Sequence, residues 1–432
     1  MLIERDCRGL NLVFFASEIA PRDTIDREAH RLVELLAEHL EDNGFDQSTE
    51  SSRAGFGKAL PALTVPVVLT GGTEHEVLRW LEAQGPEVLA LLLAVPHSNS
   101  LPASLEILAR LGQQGRRGRV ILLDREGWQQ ELTAAVAALR AHARLRAARI
   151  GLIGGPSSWL AASSPTAELV RESWGPEVIE IPLDDLIGAA GETTERETNA
   201  LVEELKEAAA AIQEPAEETL SGAMALHSAL KRLVWDHSLD AVSVRCFDLL
   251  GPLNNTGCLA LARHNDDGIV AGCEGDLPAT LTMLLARYLT GLPSFMANPS
   301  DMMINDGLVT FAHCTVPLSI VDRFSVRSHF ESGTGAGVAG RFREGDFTVL
   351  RIGGKGLERV VVFTGTAVGA GDRLREDLCR TQVTLDIGKS AAARLLQRPL
   401  GNHHILVSGD HQARVEAYAL LRDGINYENW RP

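Results

Sequence analysis

The residues from Gly272 to Pro317 constrain this chain more than any others. An apolar run, Ile269 to Ala271, leads into Cys273-Glu274-Gly275-Asp276. Pro278 follows where a helix tolerates proline, because a first-turn N–H has no partner inside the helix. Leu281, Leu284, Leu285, Tyr288 and Leu289 recur at helical spacing, and Gly291 and Pro293 end the helix. Ser294 to Ala297 reads as a strand running to Asn298-Pro299-Ser300-Asp301, and a second strand, Leu308 to Ala312, delivers His313. Strand ends thus present a carboxylate, an amide with a carboxylate, and an imidazole. Ligands are held at such ends in open α/β sheets, and His313 is expected in the same sheet as Glu274.

The rest of the chain predicts the surroundings of this stretch. Strand and helix alternate from Leu10 to Arg149, the pattern of a doubly wound parallel sheet. A polar Ser/Gly-rich loop spans Gly44 to Gly57. A second α/β unit opens at Arg149-Ile150-Gly151-Leu152-Ile153 and runs into Gly154-Gly155-Pro156-Ser157-Ser158-Trp159. Ala241 to Cys246 and Cys258 to Leu261 read as strands. After Pro317 strand-like runs dominate, separated by Gly and Asp turns, with a last helix around Gln412 to Leu421. The expected architecture is α/β: two doubly wound parallel-sheet N-terminal domains, 1–148 and 149–317, followed by a mainly β C-terminal domain, 318–432.

At 432 residues the chain exceeds one ordinary core. Its net charge of −16 argues against nucleic acid, which needs a Lys/Arg surface, and against an anionic membrane. The first residues lack the basic and apolar regions of a signal peptide, and no apolar run is long enough to span a bilayer. The six cysteines form no CxxC pair and read as buried, reduced thiols of a cytoplasmic protein. The patches Arg116-Arg117-Gly118-Arg119 and Arg140 to Arg149 read as solvated faces.

Several residues could carry chemistry. Glu274, beside glycine and before a helix, can bind a hard cation or move a proton; it can equally be a solvated acid at a helix start. His329 and Glu331 precede a glycine run and could close over a polar ligand. That run contains a formal GxGxxG, Gly335 to Gly340, but a strand follows where the dinucleotide fingerprint needs a helix. Gly353-Gly354-Lys355-Gly356 lacks P-loop spacing and reads as a hairpin turn. Thr73 and His97 lie at strand ends of the first domain.

Cys273-Glu274-Gly275-Asp276, Phe295-Met296-Ala297-Asn298 and Gly401-Asn402-His403-His404, in this order, resemble the sugar-binding core of the L-fucose/L-arabinose isomerase family. The resemblance implies a metal-dependent aldose–ketose isomerase acting on a monosaccharide. Glu274 would be metal ligand and proton shuttle, with Asn298 or Asp301 as the third contact and Asp301 as a second catalytic candidate that could swing in for the missing acid. Adjacent strand residues face opposite ways, so one of His403 and His404 would reach the metal, His403 by the motif alignment. His313, His329, Glu331 and His404 are candidates for the substrate. The family's second acid is missing at Asn298, where an amide can ligate but cannot act as a base. The leading reading is an isomerase of the L-fucose/L-arabinose type. That departure is the feature behind the alternative, a modified or acidic sugar such as a sulfonated one on the same scaffold, and a sugar-binding protein without chemistry is a further alternative. The family further implies Mn²⁺, with Mg²⁺, Co²⁺ or Zn²⁺ as alternatives, and a homo-oligomer, trimer or hexamer. In such an oligomer His97 and Thr73 of a neighbouring subunit would close the site.

Overall fold

Strand order places the functional residues, so the sheets come first. A computed structural model describes residues 1–7, 10–42, 63–85, 88–368 and 374–430; the expected loop at 44–57 lies outside them. The chain divides into two compact units.

The first unit holds a five-stranded sheet: β1 (Leu2–Cys7), β2 (Leu10–Phe15), β3 (Leu63–Val68), β4 (Ala90–Ala94) and β5 (Gly118–Leu122). β1 runs antiparallel to β2, and β2 to β5 are parallel in sequence order. Every residue of β4 is buried, as befits a parallel strand covered on both faces. The helix Gln412–Leu421 also falls in this unit. Arg117 donates from Nη1 to the Ala419 carbonyl at 2.8 Å and from its amide to Asp423 Oδ1 at 2.6 Å. This corrects the reading of its basic patch as a solvated face: a cation is favoured at a helix C-terminus. Arg140 is likewise buried, on the helix Trp128–Ala147.

The second unit combines two larger sheets. β6 (Arg149–Ile153), β7 (Glu177–Ile181), β9 (Ala241–Val244) and β10 (Val270–Cys273) form a parallel sheet in the order β10-β9-β6-β7, while β8 (Ala211–Ile212) lies apart from it. After β6 the chain moves one way to β7, and after β9 it moves the other way to β10. The crevice between β6 and β9 is therefore a topological switch point, where open sheets hold ligands. β11 (Phe295–Met303), β12 (Leu308–His313), β13 (Arg323–Arg327), β14 (Gly337–Arg341), β15 (Asp346–Gly353), β16 (Arg359–Ala367), β17 (Thr381–Asp386), β18 (His404–Ser408) and β19 (Asn426–Asn429) complete the strands. The antiparallel order β15-β18-β11-β12-β17-β16 closes through a β15–β16 pairing into a barrel, and β19 adds to β16. Phe295, Phe311, Val349, Phe363 and Leu406 fill its core. β13 pairs with β14 and β8.

Two expectations need correction. Cys258 to Leu261 begins a helix, Cys258–Asp266, not a strand; a short buried apolar run carries no periodicity to tell them apart. His313 does not share a sheet with Glu274. It ends β12 of the barrel, whereas Glu274 follows β10 of the parallel sheet. β11 extends through Asn298 to Met303, with a register shift between Pro299 and Asp301. Nothing local to β11 says that it pairs with β12 and β18 rather than β10.

The turn after β10 is fastened to the turn after β6. A Cβ on Gly275 (φ +70°) would lie 2.2 Å from the Gly155 carbonyl oxygen. Gly275→Ala is expected to cost about 2 kcal/mol or more. Thermal unfolding measures this; an unchanged midpoint would show that the two turns do not touch.

Candidate active site

Glu274 begins where β10 stops. Its backbone is left-handed, φ 63°, uncommon for a residue with a Cβ. The conformation is held from outside: Ser157 N–H donates to the Glu274 carbonyl at 2.8 Å, and Trp159 Nε1–H donates to Glu274 Oε2 at 2.7 Å. Both donors stand on the turn after β6.

Two residues later Asp276 caps the helix Leu277–Thr290, its Oδ1 accepting from Ala279 N–H at 2.7 Å. The same carboxylate is fully buried and faces Arg351 of β15, with Nη1 3.2 Å from Oδ1 and Nη2 3.2 Å from Oδ2. Oδ2 also accepts from His403 Nδ1–H at 2.9 Å. Burial alone would raise the Asp276 carboxyl. The charge of Arg351 and the bond to His403 outweigh it and hold the group down to about 2.

His403 stands just ahead of β18. With Nδ1 committed to Asp276, Nε2 is left 3.6 Å from Glu274 Oε1, an ion-pair distance, and has no hydrogen-bond partner among the described residues. Burial pushes this imidazole down, but the carboxylates of Asp276 and Glu274 raise it to about 9. Burial pushes Glu274 up, and the nearby His403, with the charge of His313 and the bond from Trp159, brings it below the ordinary carboxylate range. His313 bonds Thr315 Oγ1 through Nδ1 at 2.9 Å; burial, then the neighbouring His403, lower it to about 3, so it is a neutral imidazole.

Glu274, His313 and His403 each bring a donor atom within 4.8 Å of the others, and all three are buried. Asn298, on β11 between β12 and β18, has a buried Oδ1 without a partner among the described residues. One carboxylate, two imidazoles and an amide oxygen fit a divalent cation of the Mn²⁺, Co²⁺ or Zn²⁺ kind. The Asp276–His403 bond is the usual support of a metal-binding imidazole, fixing its tautomer and ring orientation.

The cluster opens on a cavity of about 500 Å³. Of the residues predicted from sequence, Glu274, Asn298, His313, His329 and Glu331 line it, and His403 adjoins Glu274. His329 is lowered by burial and by the charge of Arg380. Asp301 stands elsewhere: half-exposed, it pairs with Arg375 at 2.7 Å. His404 packs against Phe311 and Phe363 of the barrel core and bonds the Asn402 carbonyl. Thr73 and His97 have partners in the first unit, the Thr70 carbonyl and Glu28. Sequence reasoning gave no role to Asp276, Arg351, Trp159 or Phe247. Arg351 left a signal, a charge inside the apolar run Val349 to Ile352, and Asp276 stands in the Cys273–Asp276 motif.

Cys246, Cys258, Cys273, Cys314 and Cys379 also line the cavity, and Cys246 and Cys273 sulfurs lie 2.7 Å apart. The Cys246 bond, with burial, pushes the Cys273 thiol up, so it stays neutral.

In sequence, the chain is similar to sugar isomerases of the L-fucose/L-arabinose isomerase-like kind. Among its relatives are sulfoquinovose isomerases. One from Clostridium sp. (strain MSTE9) is 26% identical over 168 residues, 33% of this chain and 36% of the relative. One from Alkalicoccus urumqiensis is 22% identical over 281 residues, 62% and 61% of the two chains. One from Priestia aryabhattai is 22% identical over 169 residues, 39% and 38%. The match thus covers less than two thirds of each of these relatives. No family model matches the chain.

Arg351→Met would strand Asp276 as a buried, half-paired charge. Breaking such a pair costs about 3–5 kcal/mol. Chemical denaturation of the variant checks this; a loss below about 1 kcal/mol, the scale of a surface pair, would show the ion pair to be dispensable.

Proposed function

We propose that this protein is a metal-dependent aldose–ketose isomerase of a monosaccharide, and that its substrate is a sulfonated hexose of the sulfoquinovose type. The observation that carries the reading is the buried Glu274–His313–His403 cluster, with Asn298 at the wall of the cavity that Glu274 and His313 line, and with His403 Nε2 and Asn298 Oδ1 without hydrogen-bond partners among the described residues. The relatives' names support the sulfonated substrate. Neutral sugars of the fucose and arabinose type are the second reading, supported by the motif resemblance.

Isomerisation moves a proton between adjacent carbons and shifts the carbonyl through an enediol. Glu274 takes the proton from one carbon and returns it to the next. Trp159 holds one of its oxygens by hydrogen bond, leaving Oε1 on the His403 side. His313 and His403, with Glu274 and Asn298, would hold the metal. Bound there, a divalent cation lowers the energy of the charged enediolate as a Lewis acid. Asp276 and Arg351 keep His403 oriented. Asn298 replaces the family's second acid, so one carboxylate serves both halves of the transfer; Asp301, turned toward Arg375, is not needed for it. A sulfonate adds a fixed negative charge. Arg380 follows the lining residue Cys379, with its guanidinium held by Glu376 and the Ser328 carbonyl. The reading includes a cytoplasmic homo-oligomer, trimer or hexamer, with His97 and Thr73 of a neighbouring copy contributing to the site. It also takes the three-part division 1–148, 149–317 and 318–432.

The test incubates the protein with sulfoquinovose, L-fucose and L-arabinose plus Mn²⁺, then with chelator. Turnover of sulfoquinovose, lost on chelation and restored by metal, is expected. Turnover that survives chelation would refute the metal role, and no turnover of any sugar would refute the isomerase. Glu274→Gln is expected to lower kcat by about 10³ with the fold retained; full activity of that variant would remove Glu274 from the chemistry.

A further inference from the structure

Trp159 is 51% exposed, though it stands on a turn fastened on every side. Leu160 N–H donates to the Ser157 carbonyl, Ser164 Oγ to the Leu160 carbonyl, and Arg351 Nη2 to Ser163 Oγ. The exposure is therefore not that of a loose loop. Its one polar atom is committed to Glu274 Oε2 at 2.7 Å, which fixes the ring's position against the catalytic carboxylate. Phe247 meets it edge-on, with centroids 5.2 Å apart and planes at 90°. Phe247 is in turn edge-on to His329, at 5.2 Å and 85°. Trp159, Phe247 and His329 all line the cavity.

The topology explains why these rings meet. Trp159 follows β6 and Phe247 follows β9, the two strands that flank the switch point. Exposure alone does not make a site, since Trp235 is more exposed still. Trp159 differs in being rigid, in a concave corner, and bonded to the proton-transferring group.

We propose that Trp159 and Phe247 form a corner against which the C–H face of the sugar ring packs, and that Trp159 is both the specificity-determining wall and the positioning residue of Glu274. The inference rests on the isomerase reading. Aromatic faces carry negative potential, and sugar C–H bonds present weakly positive hydrogens, so an apolar sugar face is attracted to such a wall while its hydroxyls remain free for polar partners. The fixed ring spends little conformational entropy on binding. Sugar packed on Trp159 places its reacting carbons beside the carboxylate that the indole N–H holds.

The two roles separate by substitution. Trp159→Phe keeps a flat ring and loses the N–H. It is expected to lower kcat about tenfold while KM stays within about twofold, the mark of an interaction used in the transition state. Trp159→Ala loses both and is expected to raise KM about tenfold as well. Phe247→Leu is expected to raise KM and leave kcat nearly unchanged. A Trp159→Ala enzyme with wild-type KM overturns the wall, and a Trp159→Phe enzyme with wild-type kcat overturns the positioning role. Circular dichroism of each variant separates these results from misfolding. If the wild type turns over no sugar, the isomerase reading falls, and tryptophan emission during titration with sulfoquinovose decides the wall. A change lost in Trp159→Phe upholds it; the absence of any change in the wild type overturns it.

Discussion

The buried carboxylate of Asp276 is the interaction on which the rest depends. It caps the helix that leaves β10, neutralises Arg351 on β15, and orients His403 ahead of β18. Each contact alone is ordinary. Together they tie the parallel sheet to the barrel at one point, and none of the three groups can be removed without leaving another unsatisfied in a place water does not reach. Buried ion pairs add little net stability against apolar replacements, but their partners become mutually obligatory. Here the obligation serves geometry: it sets which nitrogen of His403 faces Glu274.

The second organising fact is the reversal of strand order at β6. It opens a crevice flanked by the turns after β6 and β9, and the turn after β10 completes one wall. The barrel supplies the opposite wall through Asn298 and His313. A left-handed Glu274 followed by glycine is the conformation that lets the β10 turn lie against the β6 turn. The strain at Glu274 thus sits where the chain aims one side chain across the gap between two sheets.

Much of this was legible in the sequence. Alternating strands and helices give the parallel sheets, and the Gly/Asp-punctuated runs after Pro317 give the β-rich end. Pro278 and the Leu spacing locate the helix after Glu274 because helix signals are local. What stayed hidden was pairing. The period of Phe295 to Ala297 says strand, but the partner of β11 is decided by β18, more than a hundred residues away in sequence. For the same reason the sequence does not say which sheet His313 joins, or that Asp301 pairs with Arg375. Asp276 was visible in its motif, yet its role needs Arg351 and His403, neither of which is near in sequence. Of the histidine pair, His403 lies beside Glu274 and His404 packs into the barrel core.

The contacts of Asp276 also have a history in time. They join residues 75 and 127 positions apart. On a ribosome the chain emerges N-terminus first, so Asp276 appears before Arg351, and Arg351 before His403. The parallel strands β6, β7, β9 and β10 have all been synthesised before that carboxylate emerges, and the barrel cannot close until β18 has emerged. The first unit waits too, because residues Ala413–Ile425 are part of it. A truncated product that ends before His403 therefore carries Glu274, Asn298 and His313 but lacks the nitrogen that completes their cluster, so the nascent protein acquires its site only once His403 has emerged.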